Sequence, residues 1–187
     1  LMQRDNLLVG LAGAYSIIGH YEEALRIAEM ISAPDVRNGT LQDVAETGVR
    51  SGNDNLVFRV AEMMQEPYAK ALYHIEISYA LVETGQLELA DRALSQALAS
   101  VQMFELTFQK ALVLMEIAVR YLQRDQAAKA AELLLQSLNT AALIKDSYHK
   151  ARVLIALDSR YRKAGQAPGE REQRVLQEID AQTARQD

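Results

Sequence analysis

Hydrophobic and polar positions along this chain follow the helical period. Leu8, Leu11, Ala12 and Tyr15 recur at three- and four-residue steps, as do Leu114, Ile117, Ala118 and Tyr121. Each run meets a break, after which the period resumes, as in Ala24, Leu25, Ala28 and Ile31 or in Leu87, Ala90, Leu94 and Ala97. A 3.6-residue period keeps such positions on one helix face. Each run, break and second run therefore predicts two helices joined by a tight turn. Glycine stands at the break in four places, Gly19, Gly52, Gly85 and Gly165. A glycine just past the last helical residue enters the left-handed conformation without a Cβ penalty and so ends the first helix. Asp125 takes that place in another copy, and aspartate tolerates the region better than most residues.

Measured from these anchors, the copies share one frame. Seven and four residues before the anchor, and five and nine after it, stand Ala12, Tyr15, Ala24 and Ala28 around Gly19, and Ala45, Gly48, Val57 and Ala61 around Gly52. The same offsets give Ser78, Leu81, Ala90 and Leu94 around Gly85, then Ala118, Tyr121, Ala130 and Leu134 around Asp125. A last copy begins with Asp158, Tyr161 and Gly165 and then decays. The anchors are 33, 33, 40 and 40 residues apart. The seven extra residues, around Ser100–Phe108 and Thr140–Tyr148, are almost two turns at about 3.6 residues per turn. Adding about one turn to each helix of the later copies keeps both buried faces in phase. Pro34 and Pro67 predict tight connections between copies, because the residue before proline avoids the helical region.

This spacing resembles the tetratricopeptide repeat, in which a small residue is followed by Tyr three on, Gly four further and Ala five beyond. Ala12-x-x-Tyr15-x-x-x-Gly19-x-Tyr21-x-x-Ala24 and Ala118-x-x-Tyr121-x-x-x-Asp125-x-x-x-x-Ala130 are the clearest matches. The family's leading tryptophan position holds Leu8, Leu41, His74, Leu114 and Leu154. The resemblance implies an all-α fold: a right-handed α-solenoid of about five antiparallel helical hairpins, a TPR-like superhelix. The array is read as one domain over 1–187, with repeats at about 3–34, 35–67, 68–100, 101–140 and 141–183. The last hairpin is expected to act as a partial cap, with Glu170 at its small-residue position and Arg171, Gln173 and Arg174 interrupting its second helix.

The resemblance also implies a function, a non-catalytic scaffold or adaptor that binds a protein or peptide in the concave face of its first helices. The family's groove positions, ten, six and three residues before the anchor, fall on Gln42, Glu46 and Val49, then on Ile75, Tyr79 and Val82. They continue at Met115, Val119 and Leu122, and at Ile155, Ser159 and Arg162. Such a groove runs from polar and acidic through apolar to basic. The alternative is that these residues are buried within the array or in a homodimer.

Composition narrows the classes. Of 187 residues 28 are Ala and 25 Leu, with only 9 Gly and 3 Pro, a balance that favours helices. With no cysteine, disulfides, thiolate zinc sites and cysteine nucleophiles are excluded. The net charge of −5 disfavours nucleic acid and anionic membranes as partners. No apolar run approaches the roughly 18 to 20 residues of a membrane span, and a cytoplasmic location is expected. A start at Leu1-Met2 reads as a trimmed chain or an internal piece of a longer protein. A second reading is accordingly a regulatory or sensor region of a larger transcriptional regulator or signalling protein. Residues 145–163 carry a local excess of +4 (Lys145, Lys150, Arg152, Arg160, Arg162 and Lys163 against Asp146 and Asp158). That segment would serve a nucleic-acid binder, but a solvated face paired with acidic neighbours is the simpler reading.

No catalytic, metal or cofactor constellation is expected, and the chain is not read as an enzyme. His20, His74 and His149 form no H-x-x-x-H pair, and no glycine-rich phosphate loop occurs. His74 is expected to be a core histidine with a satisfied ring nitrogen. Glu22 and Glu23, like Glu170 and Glu172, complement helix starts. Gly10 and Gly13 within the first helix suggest close packing or a frayed end. From Leu112 to Leu122 only Glu116 and Arg120 are charged. Four apart, they can pair, and a helix so apolar is expected to be covered on most sides.

Overall fold

The computed structural model describes residues 2–104 and 106–163, together with 173 and 177. Among the described residues there are nine α-helices, one 3-10 turn and no strand. The helices are α1 (Met2–Ile17), α2 (Tyr21–Glu29), α3 (Pro34–Arg50), α4 (Asn55–Met63), α5 (Pro67–Glu83), α6 (Leu87–Ser100), α7 (Thr107–Leu122), α8 (Ala127–Ala142) and α9 (Ser147–Lys163), with the 3-10 turn at Val101–Met103. Gly165, Glu170, Arg171, Glu172, Arg174 and the helix expected after Gly165 lie outside the described residues. The chain divides into two compact units, Leu1–Gln96 and Ala97–Asp187, with the division falling inside α6.

Each described anchor reverses the chain by the same backbone device. Gly19, Gly52 and Gly85 have φ of 81°, 79° and 80°, and Asp125 has φ of 56°. The amide after each anchor donates to the carbonyl four residues before it: His20 to Tyr15, Asn53 to Gly48, Gln86 to Leu81, Gln126 to Tyr121. The anchor's own amide donates to the carbonyl three residues before it. These two bonds satisfy carbonyls that the helix end would otherwise leave orphaned. A Cβ built on Gly85 meets nothing within 4 Å, so a side chain there is opposed by the backbone angle alone. Gly85→Val should therefore lose roughly 2 kcal/mol, because a β-branched residue resists positive φ. Asp125→Gly should gain up to about 1 kcal/mol by removing the same strain. Urea denaturation checks both, and a parent-like Gly85→Val would show that the turn does not need its φ.

The first helix of each pair has a constant reach. Pro34 to Gly52, Pro67 to Gly85 and Thr107 to Asp125 are each eighteen positions apart. Both prolines occupy the first turn of their helix, preceded by extended Ala33 (ψ 117°) and Glu66 (ψ 122°). The seven extra residues of the later copies lie wholly in the second helix and its exit. Helices α2 and α4 have 9 residues, α6 has 14 followed by the 3-10 turn, and α8 has 16. The expectation of one added turn per helix is thus corrected. The helix-start signal and the turn residue bound each first helix on both sides, and length can enter only after the turn.

The frame positions form the packing layer of each unit. In unit 1, Ala12, Ala24, Ala28, Ala45, Val57 and Ala90 are all fully buried. Small side chains there let paired helices approach closely. Gly48 shows the limit: a Cβ on it would lie 2.3 Å from Cδ1 of Leu56. In this unit α3 packs on both α1 and α2, and α5 packs on both α3 and α4. Tyr73 of α5 is 1% exposed, and its hydroxyl donates to the Val57 carbonyl of α4 at 2.7 Å. Asp5 of α1 accepts from the Ser32 and Ala33 amides at 3.2 and 3.1 Å, so a buried carboxylate clamps the connection into α3. In unit 2, α9 packs on α7 and α8. Ser137 of α8 donates to the Ala111 carbonyl of α7 at 2.7 Å. Helix α7 buries Val113, Leu114, Met115, Ile117, Ala118 and Tyr121, as its nearly uncharged sequence requires.

Candidate functional site

In unit 1 the anticipated contact positions lie on α3 and α5. On α3, Gln42 donates to one carboxylate oxygen of Glu46 at 3.0 Å and Arg50 donates to the other at 3.3 Å. Four-residue spacing puts all three on one face, and the acceptor groups of Glu46 are already engaged. Val49 and Ile75 are each 1% exposed and belong to the packed interior, so they offer nothing to a ligand. Tyr79, one turn beyond Ile75, is 48% exposed, and Val82 is half-buried against the unit's core.

In unit 2, Met115 is 2% exposed and is likewise a packing residue. Val119 and Leu122 are half-buried on α7, Ile155 stands 71% exposed on α9, and Ser159 is exposed. Arg162 lies in α9, and its side chain is outside those described. Between helices, Arg160 of α9 donates to Glu116 of α7 at 2.8 Å. One basic side chain of the 145–163 segment is thus neutralised inside the unit. At the start of α9, Asp146 accepts from the His149 amide at 2.8 Å and from its ring nitrogen at 2.6 Å. The His149 ring stacks on Phe108 with centroids 4.3 Å apart. The His149 amide and then its ring hold the Asp146 carboxyl below the usual range. Aspartate capping a first turn is sufficient reason for this group, which is structural.

A feature not anticipated from the sequence is a cleft of about 590 Å³ in unit 2. Leu98, Val101 and Leu114 supply its apolar surface, and the polar lining comes from Gln102, Lys110, Gln136 and Asn139. All of these flank the two segments in which the later copies exceed the earlier ones. The longer second helix therefore builds a wall that the short copies lack, and the 40-residue spacing was its only signal in sequence. Side-chain amides both donate and accept, which suits the alternating N–H and C=O groups of an extended peptide.

His74 is 3% exposed among the rings of Tyr73 and Phe58, and its Nδ1 has no hydrogen-bond partner. Burial first, and then the Lys70 charge, lower its pKa from 6.5 to about 4, so it is neutral at pH 7. Among the described residues no group of three His, Cys, Asp or Glu side chains could hold a metal ion. None of the described helices is long and apolar enough to cross a membrane.

Among the described residues the geometry is all-helical. No family model matches the sequence, and no curated protein matches it. Among solved structures the fold is similar to that of Ton1535 from Thermococcus onnurineus NA1, with a TM-score of 0.60 over 92% of this chain and 19% sequence identity. The present chain spans 51% of that chain's length.

Proposed function

We propose that this protein is a non-catalytic scaffold that binds a protein or peptide along its first helices, and that its hairpins form a tetratricopeptide-like right-handed solenoid. The observation that carries the reading is the exposure of Tyr79 on α5 and Ile155 on α9, two large apolar side chains at positions that the family resemblance assigns to ligand contact. Exposed anchors of this kind contribute binding energy when a partner desolvates them. The amide-lined cleft of unit 2 supports the same reading, because it offers main-chain partners beside an apolar surface.

The test is selection of binding peptides from a random library, followed by Tyr79→Ala and Ile155→Ala. Each variant should weaken the selected peptides at least tenfold while costing less than about 1 kcal/mol of stability, because half-exposed side chains contribute little to packing. Equal binding by both variants would overturn the assignment.

A further inference from the structure

Among the described residues, Lys110 is the one charged side chain that lines the cleft of unit 2. It stands half-buried near the start of α7, and no described carboxylate pairs with it. Arg50, Arg59 and Arg160, by contrast, each meet a glutamate within the fold. A cation in a concavity whose described lining holds no acid attracts an anion.

The rest of the lining narrows the class of anion. Val101 and Leu114 are buried beneath the cleft, while Leu98 and Leu143 stand exposed beside it. Gln136 donates its side-chain amide to Glu132 at 3.3 Å, and Thr140 donates its hydroxyl to the Gln136 carbonyl at 2.8 Å. Both keep an acceptor oxygen for an N–H group of a ligand. An inorganic anion or a simple fatty acid has no N–H to give, whereas a peptide brings N–H groups and apolar side chains together. The lining runs from Thr107 to Leu114 on α7 and from Gln136 to Leu143 on α8. Each stretch covers about 10 Å at 1.5 Å per residue, the length of about three residues of extended chain. Lys110 lies between the ends of this span, so a carboxylate on a mid-segment side chain meets it while the chain continues both ways. A terminal carboxylate on Lys110 would leave one end of the cleft empty.

Resting on the peptide-binding reading, we propose that this cleft selects an internal acidic residue of an extended partner peptide. The Asp or Glu carboxylate sits on Lys110, and an adjacent apolar side chain lies on Leu98, Val101 and Leu114. Gln136 and Thr140 accept from the peptide's main-chain amides. Lys110 is then the residue that sets the sequence preference, because it is the group that an uncharged or basic side chain would leave without its anion.

Selection from a random peptide library, run in parallel on the parent and on Lys110→Glu, reads the preference directly. The parent should enrich Asp or Glu beside an apolar residue, and Lys110→Glu should enrich Lys or Arg in its place. A peptide selected on the parent should bind Lys110→Gln about tenfold or more weakly, while Lys110→Arg keeps the charge and retains most of the affinity. Leu143→Lys, at a 72% exposed lining position, adds a second cation and should tighten the same peptide without cost to the fold. Amidating the peptide's C-terminus should change nothing, and a loss on amidation would overturn the assignment to an internal residue. If the parent selects no peptide, the peptide-binding reading fails and this inference with it. Selected peptides that depend on Tyr79 or Ile155 but carry no acid, or that bind Lys110→Gln and Leu143→Lys like the parent, would overturn this inference alone.

Discussion

Replacing Tyr73 with alanine should remove about 3–5 kcal/mol of stability, the range for deleting a large aromatic side chain from a packed core. Tyr73 is 1% exposed and sits in the cluster that joins Leu41, Val44 and Ala45 of α3, Val57 and Val60 of α4, and Ile77 of α5. Its deletion leaves a void that helices pinned at both ends by proline and turn cannot collapse to fill. Tyr73→Phe isolates the polar part. It keeps the ring and loses only the bond to the Val57 carbonyl, for about 1 kcal/mol. Burial pushes the phenol pKa up, so the hydroxyl remains a neutral donor at any ordinary pH. Urea denaturation followed by circular dichroism measures both variants. A loss below 1 kcal/mol for Tyr73→Ala would mean that the ring does not bridge α4 and α5.

Acid should destabilise unit 1 through His74 before it acts on the carboxylates. The folded pKa is about 4 and the ordinary value 6.5. Between those limits the unfolded chain binds a proton that the folded chain refuses, so stability rises with pH across this window. The contribution is fully present above pH 6.5 and is lost as pH falls toward 4, amounting to at most about 3 kcal/mol. Asp5, held low first by the Ser32 amide, and Glu22, held low first by its bond to Arg59, act in a lower window. Their contributions are present above the ordinary carboxylate range and disappear below it. His74→Leu should therefore flatten the denaturation midpoint between pH 6.5 and 4.5 while leaving the steeper loss below pH 4. A variant with the parent's slope above pH 4.5 would refute the assignment to His74.

Much of the fold was legible because its signals are local. Gly19, Gly52, Gly85 and Asp125 sit at positive φ because the chain must reverse within a few residues, and only certain residue types accept that angle. Pro34 and Pro67 start their helices because the ring presets φ and lacks an amide that the first turn would leave unpaired. The small residues at seven before and five after each anchor are buried because a fixed turn fixes the register of the helices that flank it. All of these follow from neighbours in sequence.

Ile75 and Tyr79 show where that ends. They lie four apart on α5, and the helical period places them on nearly the same face, yet one is closed off and the other half-exposed. The difference depends on which neighbouring helix lies over each position, and no spacing within α5 reports it. Glu116 accepts from Arg160, forty-four residues away in sequence, a contact that no spacing within α7 reports. The cleft of unit 2 exists because seven residues were added to one helix of a pair and not to both. Helix, turn and packing register are decided by the sequence itself, since each acts over one or two turns of chain. Exposure, the long-range ion pair and the cleft were decided only by the tertiary structure, because each depends on contacts between segments far apart in sequence.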